Sequence, residues 1–187
     1  MILWTMQSKE VVEILESTGE FTCDPDLAGR DFRRSYKWLV HQMDLNGIEH
    51  PYGLKFPIWA WHTLDWKHEK PDLDEEMYGA PGDELVCIEF EIDDKDVLLS
   101  DYNAWHYVLN NAFFDSSHNE EEWELQHKWF DSLAPKLRDR VMKESWKSIF
   151  DVTPYKSEWN VRGQYVQAVF WKLKKDMVRS YTNFIVK

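Results

Sequence analysis

Hydrophobic positions along this chain alternate between a period of two and a period near three and a half, and the changes of period divide it into strands and helices. Ile2 to Thr5 reads as a short strand. Ser8 stands as the N-cap of a first helix in which Val11, Ile14 and Leu15 share a face, and Gly19 ends it as a C′ residue. Asp31 is placed to cap a second helix carrying Phe32, Tyr36, Leu39, Val40 and Met43 on one side and Trp38 with Gln42 on another, with Gly47 closing it. From Phe56 to Trp61 the alternation sets Trp59 and Trp61 on one side and Ile58 and Ala60 on the other, Pro57 confining the run to an edge or a strand start. Lys67 to Gly82, acidic and punctuated by Pro71, Gly79, Pro81 and Gly82, reads as a long surface loop.

The clearest strand runs from Leu85 to Ile92, with Val86, Ile88, Phe90 and Ile92 toward the core and Cys87, Glu89 and Glu91 on the side expected to face water. Val97 to Asp101 leads into a helix carrying Trp105, Val108, Leu109 and Ala112. Ser117 with Glu120 has the spacing of a capping box for another, and a third is expected from Lys136 to about Phe150. Tyr165 to Leu173 alternates again, so Gln167 becomes a polar residue on the otherwise apolar face of Tyr165, Val169, Trp171 and Leu173. The pattern predicts one α+β domain over residues 1–187, with a split, mixed or antiparallel sheet and helices around a cleft.

Composition narrows the function. The chain has 187 residues, a net charge of −12 and no apolar run long enough for a bilayer, so a membrane span is not expected and the charge disfavours the phosphate backbone of nucleic acid. Cys23 and Cys87 form no CxxC pair, and the first residues lack the basic and apolar regions of a signal peptide, so a reduced, cytoplasmic protein is expected. Eleven tryptophans, several beside small polar residues, imply either an unusually aromatic core or a groove for a flat ligand.

The candidate chemistry follows from those clusters. Trp59 and Trp61 are placed to sandwich a ring, and Gln167 either pairs inside the fold or hydrogen-bonds a ribose hydroxyl or a base. Ser100 and Asp101 cap a helix or line the same site, and Asp72 is either solvated or a ribose ligand. The histidine spacings match no zinc pattern, so no metal is expected; neither a GxSxG elbow nor a glycine-rich phosphate loop occurs.

Seven blocks resemble the hallmarks of an uncharacterised bacterial family of unknown function: Leu3-Trp4-Thr5-Met6-Gln7, Tyr36 to Met43, Pro57-Ile58-Trp59-Ala60-Trp61, Pro71-Asp72-Leu73, Val97 to Asp101, Ser145 to Phe150 and Gln167 to Trp171. The fourth of these blocks usually reads Pro-Asp-Leu-Arg in that family, whereas this chain has Asp74. More distantly, the order of elements is similar to the ADP-ribosyltransferase superfamily, in particular its DNA-modifying toxin branch. This second resemblance implies a cleft for NAD as substrate, with Thr5 and Gln7 on the nicotinamide side, Trp4 at the first strand, Tyr36 or Trp38 stacking, and Gln167 at the place of the glutamate that assists transfer. The implied activity is ADP-ribosyl transfer to a macromolecule or hydrolysis of NAD. Trp4 replaces the usual His or Arg, and an amide carries no charge and serves as no base. The alternative is a non-catalytic protein-binding module, phage- or defence-linked, that uses its indoles for recognition.

Overall fold

Strand β1 (Ile2–Ser8) is buried at Leu3, Trp4 and Thr5 and half-buried along the rest of its length, and helix α1 (Lys9–Thr18) follows directly. Gly19 stops α1 at φ 85°, its N–H returning 2.9 Å to the Leu15 carbonyl, so the predicted C′ glycine is where the backbone turns left-handed. Then come β2 (Glu20–Thr22), α2 (Arg33–Leu45), β3 (Ile58–Thr63), β4 (Glu84–Glu91), β5 (Leu98–Asp101) and α3 (Tyr102–Leu109). The second half adds α4 (Glu120–Ser132), α5 (Pro135–Ser145), β6 (Tyr155–Lys156), β7 (Val161–Arg162), β8 (Val166–Phe170), β9 (Lys172–Lys174) and β10 (Val178–Ile185). The computed structural model describes residues 1–23, 32–75 and 78–187; Asp31, read as the cap of α2, lies outside the described residues.

Six strands form one sheet in the order β10-β4-β1-β3-β8-β5, with every neighbouring pair antiparallel. Two short ribbons, β2-β9 and β6-β7, stand apart from it. The expected single α+β domain with an antiparallel sheet and helices is the architecture adopted.

Several boundaries differ from the pattern, each for a local reason. The predicted strand from Tyr165 to Leu173 divides at Trp171, because β9 leaves the sheet to pair with β2. The capping box of α4 sits two residues later than Ser117 and Glu120: Asn119 accepts from the Glu122 N–H at 2.9 Å, and Glu122 reaches back to the His118 N–H at 2.8 Å. Helix α3 stops at Leu109, where Asn111 turns to φ 52°, and the expected helix to Phe150 ends at Ser145 before a 3-10 turn over Trp146–Phe150.

The sheet has a core on each face. Leu3, Ile88, Phe90 and Phe170 pack with Leu15 of α1 on one side. Leu98, Val169 and Trp171 pack with Leu39 and Met43 of α2, Trp105 and Val108 of α3, and Trp146 and Ile149 on the other. Much of the tryptophan content is therefore core, with the buried Trp146 N–H satisfied by the Ala112 carbonyl at 2.7 Å.

The second face is roofed by two separate covers. Helices α2 and α3 lie over β5, β8 and Trp59, while the segment between β3 and β4 folds back over β1, β4 and β10. Its contacts are His68 on the Trp4 ring at 5.4 Å, Tyr78 on Phe184 at 6.0 Å, and Lys70 Nζ donating to Thr182 Oγ1 at 2.8 Å. Under this cover Cys87 is buried and Glu89 half-buried, so the side of β4 expected to face water does so only at Glu91. Burial pushes the Cys87 thiol up to about 11, and no disulfide joins it to Cys23.

Candidate functional site

Antiparallel register places one residue from each strand in a single row across the roofed face: Ser180, Glu89, Trp4, Trp61, Gln167 and Ser100, each the direct partner of the next. Four candidate residues drawn from distant segments thus come together. Trp4 is 4 % exposed and gives its indole N–H to Glu89 Oε2 at 3.1 Å, while Trp61 meets Tyr102 with ring centroids 5.3 Å apart. One step along β3, Trp59 packs at 5.3 Å against Trp105 and edge-on to Tyr36.

The seam between the two covers falls at this point and leaves a hollow of about 180 Å³ lined by Met6, Trp59, Ala60, Trp61, Tyr78 and Gln167. Its chemistry is distinctive. Six buried side-chain polar atoms among the described residues lack a hydrogen-bond partner, and three of them sit on residues that line the hollow: the Gln167 amide oxygen, the Tyr78 hydroxyl and the Trp59 indole N–H; a fourth, the Ser100 hydroxyl, lies on the strand position paired with Gln167. Buried polar groups nearly always find partners, so this clustering sets the hollow apart from the rest of the described surface. The Trp59 N–H lies near the Tyr36 phenol but falls short of hydrogen-bond geometry; burial raises the Tyr36 pKa, and this N–H offsets part of the rise. Burial also raises the Tyr78 phenol pKa, and the Glu75 charge adds to the effect.

The remaining candidates lie elsewhere. Thr5 and Gln7 pair with Ile88 and Val86 and face α1, opposite the hollow. Gln7 Nε2 donates to the Thr5 hydroxyl at 2.7 Å, which donates to the Trp59 carbonyl at 2.8 Å, so they brace the strands instead of standing beside Gln167. Trp38 stacks on Phe150 at 5.7 Å, away from the seam. Asp101 caps α3: Oδ1 accepts from Ala104 N at 2.9 Å and Oδ2 from Gly163 N at 2.7 Å, which occupies both oxygens. Asp74, in place of the family arginine, pairs with Lys187 at 2.8 Å. Met6 and Tyr78 join the site unforeseen; Met6 alternates with Trp4 on its strand, whereas no periodic signal singles out Tyr78.

A larger hollow, about 430 Å³, opens between α3 and the β6-β7 ribbon, but its acidic groups are engaged. Asp101 holds the two N–H groups above, Asp115 holds Ser117 and His127, and Arg162 pairs with Asp151 at 2.5 Å. Size favours that hollow; unsatisfied chemistry favours the smaller one, and we weight the chemistry. Among the described residues no three His, Cys, Asp or Glu side chains gather as a metal cage, and no helix is long and apolar enough to cross a membrane.

Fold and site together define an α+β antiparallel-sheet protein with an indole-walled hollow under a two-part roof. The chain belongs to the family described as domain of unknown function (DUF3841), whose profile matches residues 2–179. No curated protein and no solved structure was found to match it.

Proposed function

We propose that this chain binds a planar heteroaromatic ligand, of the nicotinamide or nucleobase kind, in the hollow bounded by Trp59, Trp61 and Gln167. The observation that carries the reading is the set of three buried, unpaired polar atoms on residues lining one hollow walled by two indoles, with the unpaired Ser100 hydroxyl on the neighbouring strand. At about 180 Å³ the hollow is smaller than the roughly 300–1,000 Å³ of drug-sized sites, so it suits one ring system rather than a whole dinucleotide. Stacking of a base on an aromatic side chain contributes about 1–3 kcal/mol, and the amide oxygen, phenol and indole N–H supply the acceptor and donors that read a ring's edge.

NAD enters as a candidate through its nicotinamide or adenine ring. ADP-ribose transfer asks for a carboxylate beside that ring, and among the described residues lining the hollow there is none. The chain's own contribution is therefore binding and positioning. Titration of nicotinamide, adenine and NAD, followed by calorimetry and tryptophan fluorescence, tests the reading. Binding of at least one ring compound, weakened at least about tenfold in Trp61→Ala and Gln167→Ala, is expected, since each variant removes an interaction of about 1.4 kcal/mol or more. Absence of heat and quenching with all three would refute it. A second reading, a protein partner, is favoured by Trp123, Leu125 and Trp129, which stand exposed along α4.

A further inference from the structure

A second hollow, about 190 Å³, adjoins the first under the same loop, and Tyr78 lines both. The Tyr78 hydroxyl is buried and unpaired, and Tyr78 is the one residue common to both linings, so it stands between a group held in the first hollow and the side chains around the second. Tyr165, the residue before β8, forms part of the second hollow's lining.

The charges around that second hollow are uneven. Asp65, Glu69, Asp72 and Glu75 face Lys67 and Lys70. Lys67 is paired with Glu69 at 3.5 Å, and Lys70 keeps its charge while donating to the neutral Thr182 hydroxyl at 2.8 Å, so four carboxylates face two ammonium groups and the lining is negative on balance. Glu75 and Asp72 both lie close enough to the Tyr78 phenol to hold back its ionisation. Carboxylates in such a position repel a phosphate and accept hydrogen bonds from sugar hydroxyls, as acidic side chains do with ribose in dinucleotide sites.

Resting on the ring-binding reading above, we infer that the natural ligand is an unphosphorylated nucleoside. Its heteroaromatic ring occupies the hollow of Trp59, Trp61 and Gln167, and its sugar hydroxyls engage Asp72 and Glu75 across Tyr78. These two carboxylates set the selection between nucleoside and nucleotide. They are exposed loop residues, so their substitution leaves the sheet and both cores intact.

The test is a calorimetric panel of adenosine, guanosine, cytidine, uridine and nicotinamide riboside, each beside its free ring and its 5′-monophosphate. For the ring that binds, the nucleoside is expected to bind more tightly than the free ring and at least about tenfold more tightly than the monophosphate, and raising salt from about 50 mM to about 500 mM narrows the second ratio. In Asp72→Asn/Glu75→Gln the monophosphate gains affinity while the nucleoside loses it, opposite movements that a general loss of fold does not produce. A monophosphate that binds the wild-type chain as well as its nucleoside overturns the inference and leaves ring binding standing. Failure of every ring, nucleoside and monophosphate overturns both.

Discussion

Replacing Gln167 by methionine is expected to stabilise the ligand-free protein while weakening ligand binding. The amide oxygen is buried with no hydrogen-bond partner, and such a group costs about 1–3 kcal/mol of desolvation. Methionine keeps the length and volume of the side chain, so the packing beside Trp61 and Ser100 survives. The amide nitrogen is not among the unpaired buried atoms, and loss of what it contributes returns up to about 1 kcal/mol. The net gain expected is about 1 kcal/mol, which for a domain of this size raises Tm by about 2–4 °C. Urea unfolding followed by tryptophan fluorescence reads it as a higher midpoint at unchanged slope. Ser100→Ala acts in the same direction, and because Ser100 and Gln167 are direct strand partners the double variant departs from the sum of the two. A Gln167→Met protein destabilised by about 1 kcal/mol or more would show that the amide holds the sheet together, and the case for a site waiting on a ligand would fall with it.

Two further outcomes follow from the same structure. The His62 imidazole is held down to about 4, chiefly by burial and then by the charge of His68, whose ring stacks on it at 4.1 Å. The folded chain keeps His62 neutral while the unfolded chain protonates near 6.5, so stability is full above that pH and falls as pH drops toward 4. The full shift corresponds to at most about 3 kcal/mol, reduced to about 1–2 kcal/mol by solvent at this half-exposed ring. Urea unfolding between these pH values, repeated with His62→Gln, checks it: an undiminished pH slope in the variant contradicts the assignment. Asp101→Ala strands the buried N–H groups of Ala104 and Gly163 and is expected to lower stability by about 2–4 kcal/mol, with Asp101→Asn losing roughly half as much. Thermal unfolding with a loss below about 1 kcal/mol for the alanine variant would show that the cap carries little.

Gln167 was legible in the chain because a period-two run makes one face explicit, and an amide among Tyr165, Val169 and Trp171 breaks it. Trp59 and Trp61 share a face for the same reason. Which strands lie beside β3 was not legible, because antiparallel register between segments as distant as Trp4 and Trp61, or Trp61 and Gln167, is set by tertiary packing, and a slip of one residue exchanges the two faces. Alternation along β1 puts Thr5 and Gln7 on the α1 side and Trp4 on the roofed side, so the three neighbours in sequence cannot share one site. Strand β10 escaped the pattern because it is a sheet-edge element whose residues alternate only between half-buried and exposed, with Arg179, Ser180, Thr182 and Asn183 diluting the apolar signal. Tyr78 escaped because its position comes from a loop folding over a sheet, which no local periodicity encodes.

The two-part roof explains why unpaired groups persist at this point in the fold. A sheet face covered by one element closes over its own side chains; one covered by helices at one end and a loop at the other leaves a seam, here above Trp61. Four unpaired groups at about 1–3 kcal/mol each are a large share of the roughly 5–15 kcal/mol that separates a folded domain from its unfolded chain. Apolar residues at Gln167 and Ser100 would relieve much of that strain with no change of strand pairing. A ligand that hydrogen-bonds to the same atoms relieves it too, and does so only in the folded state, so its binding must appear as a rise in the unfolding temperature that grows with ligand concentration. In the Gln167→Met protein, where one of these groups is already relieved and binding is weakened, the rise at the same ligand concentration is smaller, and that contrast separates a built binding site from a packing defect.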